Sequence, residues 1–128
     1  MWVFTKDGFF STVADDRNKG NVLVRARLRE DLTQLVKLFP NQHISITSSP
    51  QADYAYRITM PRKLWKQYLS KACDELDYPN FKATVPMGDR ARHLAYMGVW
   101  NVMRRFQDTI DCTFKGGKKD AYAERKRK

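Results

Sequence analysis

An α+β fold is predicted by three observations: short β-favouring runs in pairs joined by turn chemistry, apolar stripes at helical spacing between those pairs, and a long amphipathic segment near the C-terminus. Strands and helices alternate too irregularly for a parallel doubly wound sheet, so an antiparallel sheet covered by helices is expected. The first pair is Trp2-Val3-Phe4-Thr5 and Phe9-Phe10-Ser11-Thr12-Val13, split by Lys6-Asp7-Gly8, a hairpin pattern. After the polar stretch Asp15 to Asn21, the run Val22 to Leu28 gives a third strand. Leu28, Leu32, Leu35, Val36 and Phe39 then form one helical stripe that Pro40 stops. His43 to Thr47 alternates, SSPQAD supplies a turn, and Tyr54 to Met60 alternates again, which predicts a second hairpin.

Pro61 suits the entry to a helix over residues 62–76, with Leu64, Trp65, Tyr68, Leu69, Ala72 and Leu76 on its buried side. Phe81 to Val85 reads equally as a short strand or an ordered loop. Asp89 can cap a long helix reaching about Gln107, whose wide apolar stripe, including Leu94, Val99, Val102, Met103 and Phe106, predicts packing on more than one neighbour. The expected architecture is an antiparallel sheet with an N-terminal hairpin, a ferredoxin-like-type β-α-β-β-α core and a long C-terminal helix. A strand at 81–85 would complete the ferredoxin-like order.

The 128 residues carry 24 Lys+Arg against 14 Asp+Glu, a net charge of +10, and 42% hydrophobic residues, enough for one core. Half of the charge is local. Residues 115–128 hold seven Lys/Arg against two acids, which leaves +5 for that segment and +5 for the other 114 residues. A single domain over residues 1–114 is therefore expected, followed by a disordered basic tail. Two cysteines, Cys73 and Cys112, fit a reducing compartment better than a disulfide framework, with Cys73 read as a small buried residue. No apolar run reaches membrane-spanning length, and Lys6 and Asp7 come too early for a signal peptide, so a cytoplasmic protein without membrane attachment is expected.

Strand parity places Arg25 and Arg27 on one face of the third strand, and Arg57 on the polar face of the strand over Tyr54 to Met60, so the sheet face opposite the apolar side chains is expected to be polar and basic. Guanidinium groups on an open sheet face suit planar, bidentate contacts to phosphate. The same arginines also suit a solvent-facing strand that discourages edge pairing. Lys115, Lys118, Lys119, Arg125, Lys126, Arg127 and Lys128 add sequence-independent, salt-sensitive attraction to a polyanion. Nucleic acid or a ribonucleoprotein is thus the expected partner. The aromatic-rich segment that RNA-recognition sheets use is absent, but adjacent bulky pairs such as Phe9-Phe10 cannot both point inward, and a ring left beside an arginine would serve for base stacking or for a protein partner.

Catalytic patterns are sparse. His43 and His93 have no metal-ligand spacing, and no phosphate-binding glycine loop or nucleophile elbow occurs, so neither catalytic residues nor a cofactor or metal is expected. Asp74, Glu75 and Asp77 provide the one carboxylate cluster that a metal-dependent phosphodiesterase would need, at a helix end where solvated acids are ordinary. The competing reading to nucleic-acid binding is a protein-binding inhibitor or adaptor.

Four segments in order, MWVFTKDGFFS, LVRARLREDL, a Ser-Pro followed by ADYAYRI at 52–58, and DYPNFK at 77–82, resemble a family of short bacterial proteins of no assigned activity. The resemblance covers most of residues 1–106 and implies relatives without a mechanism. The basic tail departs from the family pattern, as an addition in a phage- or mobile-element-encoded copy would.

Overall fold

A computed structural model describes the backbone of residues 1–125 and the side chains of residues 1–110. The chain is α+β and divides into two compact units, Met1–Phe81 and Lys82–Lys128. The first unit contains β1 (Trp2–Thr5), β2 (Gly8–Ala14), β3 (Asn21–Ala26), α1 (Arg29–Lys37), β4 (Thr47–Ser48), β5 (Tyr56–Pro61) and α2 (Arg62–Asp74). The second contains α3 (Arg90–Arg125), and a 3₁₀ turn spans Phe81–Thr84 at the division.

The five strands form one antiparallel sheet in the order β1-β2-β3-β5-β4. β5 lies between β3 and β4, so β3-α1-β4 is a split βαβ unit, the hallmark of the expected core. Of the two readings of residues 81–85, the strand is not the one adopted: Phe81–Thr84 forms a 3₁₀ helix. The edge of β3 that such a strand would take is already held by β2, with Ser11 opposite Arg25 and Val13 opposite Leu23. The strand expected over His43 to Thr47 shrinks to Thr47–Ser48. Pro40 starts a turn in which the Gln42 and Ile44 amides donate to the Phe39 and Gln42 carbonyls, so backbone groups can pair with β5 only from Thr47 onward. Ile44 and Ile46 still pack on the core without a ladder.

One face of the sheet is buried. Phe10, Val22, Val24, Ala26, Ile58 and Met60 project from β2, β3 and β5 onto Leu32 and Leu35 of α1 and Leu64, Trp65 and Tyr68 of α2. Phe10 meets Trp65 and Tyr68 edge-on, with ring centroids at 5.9 and 5.5 Å, the favoured geometry for aromatic pairs. Two polar contacts tie the hairpin to the helices: Asp31, in the first turn of α1 and only 2% exposed, accepts from the Phe9 amide at 3.1 Å, and the Thr5 and Tyr68 hydroxyls share a hydrogen bond of 2.9 Å. Cys73 is exposed, against expectation. It follows Tyr68 by five residues, which at 3.6 residues per turn carries it away from the side that Leu64, Trp65 and Tyr68 bury.

The hairpin depends on Gly8 for space. A Cβ there would lie 2.8 Å from the Asp31 Cγ and 3.0 Å from the Phe10 ring. Both neighbours are fixed by burial, so Gly8→Ala is expected to destabilise the first unit by about 1–3 kcal/mol, measured as a lowered urea midpoint at unchanged slope.

In the second unit, Asp89 caps α3 as expected: its carboxylate accepts from the Arg92 backbone amide at 3.1 Å and from Arg92 Nε at 2.9 Å. The Arg92 side chain first, and its amide second, hold the Asp89 carboxyl below its ordinary pKa. A depressed carboxylate stabilises the fold above its unfolded-state pKa, and that contribution disappears as pH falls through the lowered value. Helicity of α3 should therefore fall with acidification below the ordinary carboxylate range. Asp89→Asn should flatten that dependence in circular dichroism while preserving most of the helix at neutral pH.

The backbone of α3 continues past Gln107, through Gly116 and Gly117, to Arg125. Along α3, Tyr96 is buried, and Leu94, Val99, Trp100, Val102, Met103, Phe106 and Ile110 are exposed. Lys82 places its ammonium 4.5 Å from the Trp100 ring centroid.

Candidate nucleic-acid interface

The sheet face away from α1 and α2 is where parity puts the arginines. Cross-strand partners share a face, and the row Trp2, Ser11, Arg25, Arg57 and Thr47 runs across all five strands in continuous register. Phe4 and Phe9 form the next pair on the same face, stacked with centroids 4.3 Å apart. Trp2 stands edge-on to Phe9 at 6.1 Å and is 67% exposed. Phe9 and Phe10 thus separate to opposite faces, the second entering the core and the first staying outside.

Tyr54 completes the cluster from the loop before β5. Its ring, 6.3 Å from Phe9, is buried beneath two guanidinium groups: the Arg25 and Arg27 Cζ atoms lie 4.8 and 4.5 Å from its centroid. By its alternation with Tyr56, the sequence suggests a strand position for Tyr54. The structure instead makes it a pedestal for the two arginines, a part that strand parity does not reveal because residue 54 precedes the strand. β3 ends at Ala26, so Arg27 is held by this ring and by a 2.7 Å hydrogen bond to the Asp53 carbonyl rather than by the ladder.

The remaining guanidinium contacts are to neutral oxygens. Arg25 donates through Nη2 to the Ser11 hydroxyl at 2.8 Å, and Arg57 donates through Nη2 to the Tyr54 carbonyl at 3.3 Å. Arg57 Nε is buried with no hydrogen-bond partner among the described residues. None of the three arginines forms an ion pair with a carboxylate among those residues. Arg25 and Arg57 are directly opposed in register, an arrangement of like charges that costs stability unless a counter-charge approaches.

The face is not uniformly basic. Beside Arg57 a groove of about 620 Å³ is lined also by Asp15, Asp16, Arg17, Leu23 and Thr59. Two acids and two bases balance there, whereas the Arg25 and Arg27 end carries aromatic rings.

The other sequence candidates stand apart from this face. Lys115, Lys118, Lys119, Arg125, Lys126, Arg127 and Lys128 lie outside the residues whose side chains are described. Glu75 is engaged by Lys71 and, at 3.9 Å, by Lys6, and its carboxyl is held below its ordinary pKa by the hydrogen bond from Lys71. No group of three or more His, Cys, Asp or Glu side chains suited to a metal ion occurs among the described residues. No described helix is long and apolar enough to cross a membrane. Comparison with protein-family models, curated proteins and solved structures finds no match for the chain.

Proposed function

We propose that this protein binds single-stranded nucleic acid, or a ribonucleoprotein that exposes it, through the open sheet face and without catalysing a reaction on it. The observation that carries this reading is the juxtaposition, on one sheet face, of an exposed indole with three arginines that have no carboxylate partner among the described residues. Phosphates would sit on Arg25, Arg27 and Arg57. A base would stack on Trp2, with Phe9 and Phe4 backing it. A duplex keeps its ring faces stacked inside, so an aromatic platform favours a single strand. The basic residues of the C-terminal segment add affinity that does not depend on sequence and weakens with salt.

The test is binding of the full chain to labelled mixed-sequence RNA and DNA, single-stranded and duplex, from low to moderate salt. Tighter binding to single strands is expected. Trp2→Ala should weaken it by about 1–3 kcal/mol, the usual value of one base stacked on an aromatic ring, and should leave thermal stability nearly unchanged because the ring is mostly exposed. Absence of any complex at low salt would overturn the proposal, and equal affinity for duplex and single strand would overturn the stacking part of it.

A further inference from the structure

The groove beside Arg57 differs in chemistry from the arginine row it adjoins. On the outer sheet face, Val13, Leu23 and Thr59 stand opposite one another across β2, β3 and β5, and all three line the groove. Two of the three are apolar. The charged lining comes from Arg57 and from Asp15, Asp16 and Arg17 in the turn that follows β2. Asp15 accepts from the Arg17 amide at 3.0 Å, which bends the chain there and engages one of its carboxylate oxygens. Asp16 and the Arg17 guanidinium are exposed and enter no hydrogen bond or ion pair among the described residues. At about 620 Å³ the groove has the size of a small-ligand site. Apolar side chains with a free carboxylate and a free guanidinium beside them suit a flat ring whose faces are apolar and whose edges carry hydrogen-bonding groups. A nucleobase has that form.

We propose that the groove takes a guanine base of the bound strand, with Asp16 on its Watson–Crick edge and Arg17 on its Hoogsteen edge, an assignment that rests on the single-strand binding proposed above. Arg57 belongs both to the arginine row and to the groove, so a phosphate held there brings the neighbouring base to the groove. The choice of base follows from what each one offers. A carboxylate only accepts, and guanine alone presents two adjacent N–H donors, at N1 and N2. A guanidinium only donates, and guanine presents adjacent acceptors at O6 and N7, the commonest specific contact made by arginine. Adenine and uracil give a carboxylate one donor at a time and have no two adjacent acceptors. Cytosine sets its N4 donor beside its N3 and O2 acceptors on one edge, where the two side chains would compete for space. An acid next to phosphate-binding arginines weakens attraction to the backbone of every strand alike. What Asp16 contributes is therefore discrimination between bases rather than affinity.

The test is binding of the full chain, by fluorescence anisotropy, to a short labelled oligouridine and to the same strand with its central residue changed to guanosine, adenosine, cytidine or inosine. One guanosine per strand keeps the probe unstructured. The guanosine strand is expected to bind roughly tenfold more tightly than oligouridine, with adenosine and cytidine close to uridine. Inosine, which lacks the N2 amine, should recover only part of the gain. Asp16→Asn and Arg17→Gln should each bring the guanosine-to-uridine ratio down toward one. Both positions are exposed, so the fold is expected to survive either change. If Asp16 acts only by repelling phosphates, Asp16→Asn will tighten all five strands alike and leave the ratio unchanged, which overturns the assignment. Equal affinity of the parent protein for all five strands overturns it too, while leaving single-strand binding intact. Failure to bind any strand removes the underlying reading, and the guanine site with it.

Discussion

Replacing Arg25 and Arg57 together by glutamine is expected to weaken single-stranded nucleic-acid binding by tenfold or more, about 1.4 kcal/mol at the least, while changing the unfolding free energy by less than about 1 kcal/mol in either direction. The two effects separate because of how these residues are held. Arg25 gives up its bonds to Ser11 and its place over the Tyr54 ring, Arg57 gives up its bond to the Tyr54 carbonyl, and the pair is relieved of its cross-strand repulsion. Those changes nearly cancel in the free protein. In the proposed complex the same substitutions would leave phosphates without their guanidinium partners. The dependence of affinity on salt should then become shallower, by about 0.7 in slope for each phosphate of a single strand that is no longer neutralised. Weaker affinity with an unchanged salt slope would show that the arginines do not touch phosphate. Salt titration of the parent and the variant by fluorescence anisotropy, with urea unfolding of both, measures all three quantities.

Phe10→Ala is expected to cost about 3–5 kcal/mol, close to the whole stability of a small domain, and to leave the first unit largely unfolded at 37 °C. Phe10 is 1% exposed and touches Trp65 and Tyr68 in edge-on geometry. It is also the residue by which β2 grips the helix-covered side of the sheet. Removing it opens a cavity walled by large rings that cannot collapse inward. Phe9→Ala, one position away on the opposite face, should cost markedly less, since its neighbours Phe4, Trp2 and Tyr54 are partly solvated or held by other contacts. The contrast between adjacent phenylalanines, read as urea midpoints, checks the assignment of the two faces. Equal destabilisation by both would contradict it.

The parts of this structure that are legible in the sequence are those governed by short-range periodicity. The N-terminal hairpin follows from Gly8 between two β-favouring runs, and α2 from Leu64, Trp65 and Tyr68 at helical spacing after Pro61. The alternation of β3 and β5 places Val24 and Ile58 inside and Arg25 and Arg57 outside, as observed. What the sequence does not convey depends on competition between distant segments. The run Phe81 to Val85 has adequate β composition, yet β2 holds the edge of β3, and nothing local to Phe81 records that. His43 to Thr47 alternates well, but the turn after Pro40 claims its backbone groups. Nothing around Tyr54 marks it as part of the candidate site, because its role arises from Arg25 and Arg27 across a loop, more than 25 positions away.

The substitution of an N-terminal hairpin for a C-terminal strand bears on the order in which the sheet is assembled. β1, β2 and β3 form a meander whose contacts span short loops, so their pairing closes quickly and with little entropy loss. The β3 and β5 pairing, from Ala26 opposite Tyr56 to Asn21 opposite Pro61, must instead bridge α1 and the segment after it. That closure is the one long-range event in the sheet, and folding rates fall as such events dominate. A nascent chain can therefore complete three strands before α1 has emerged, with Arg25 already on its outer face and the buried face waiting for Ile58 and Met60 to arrive.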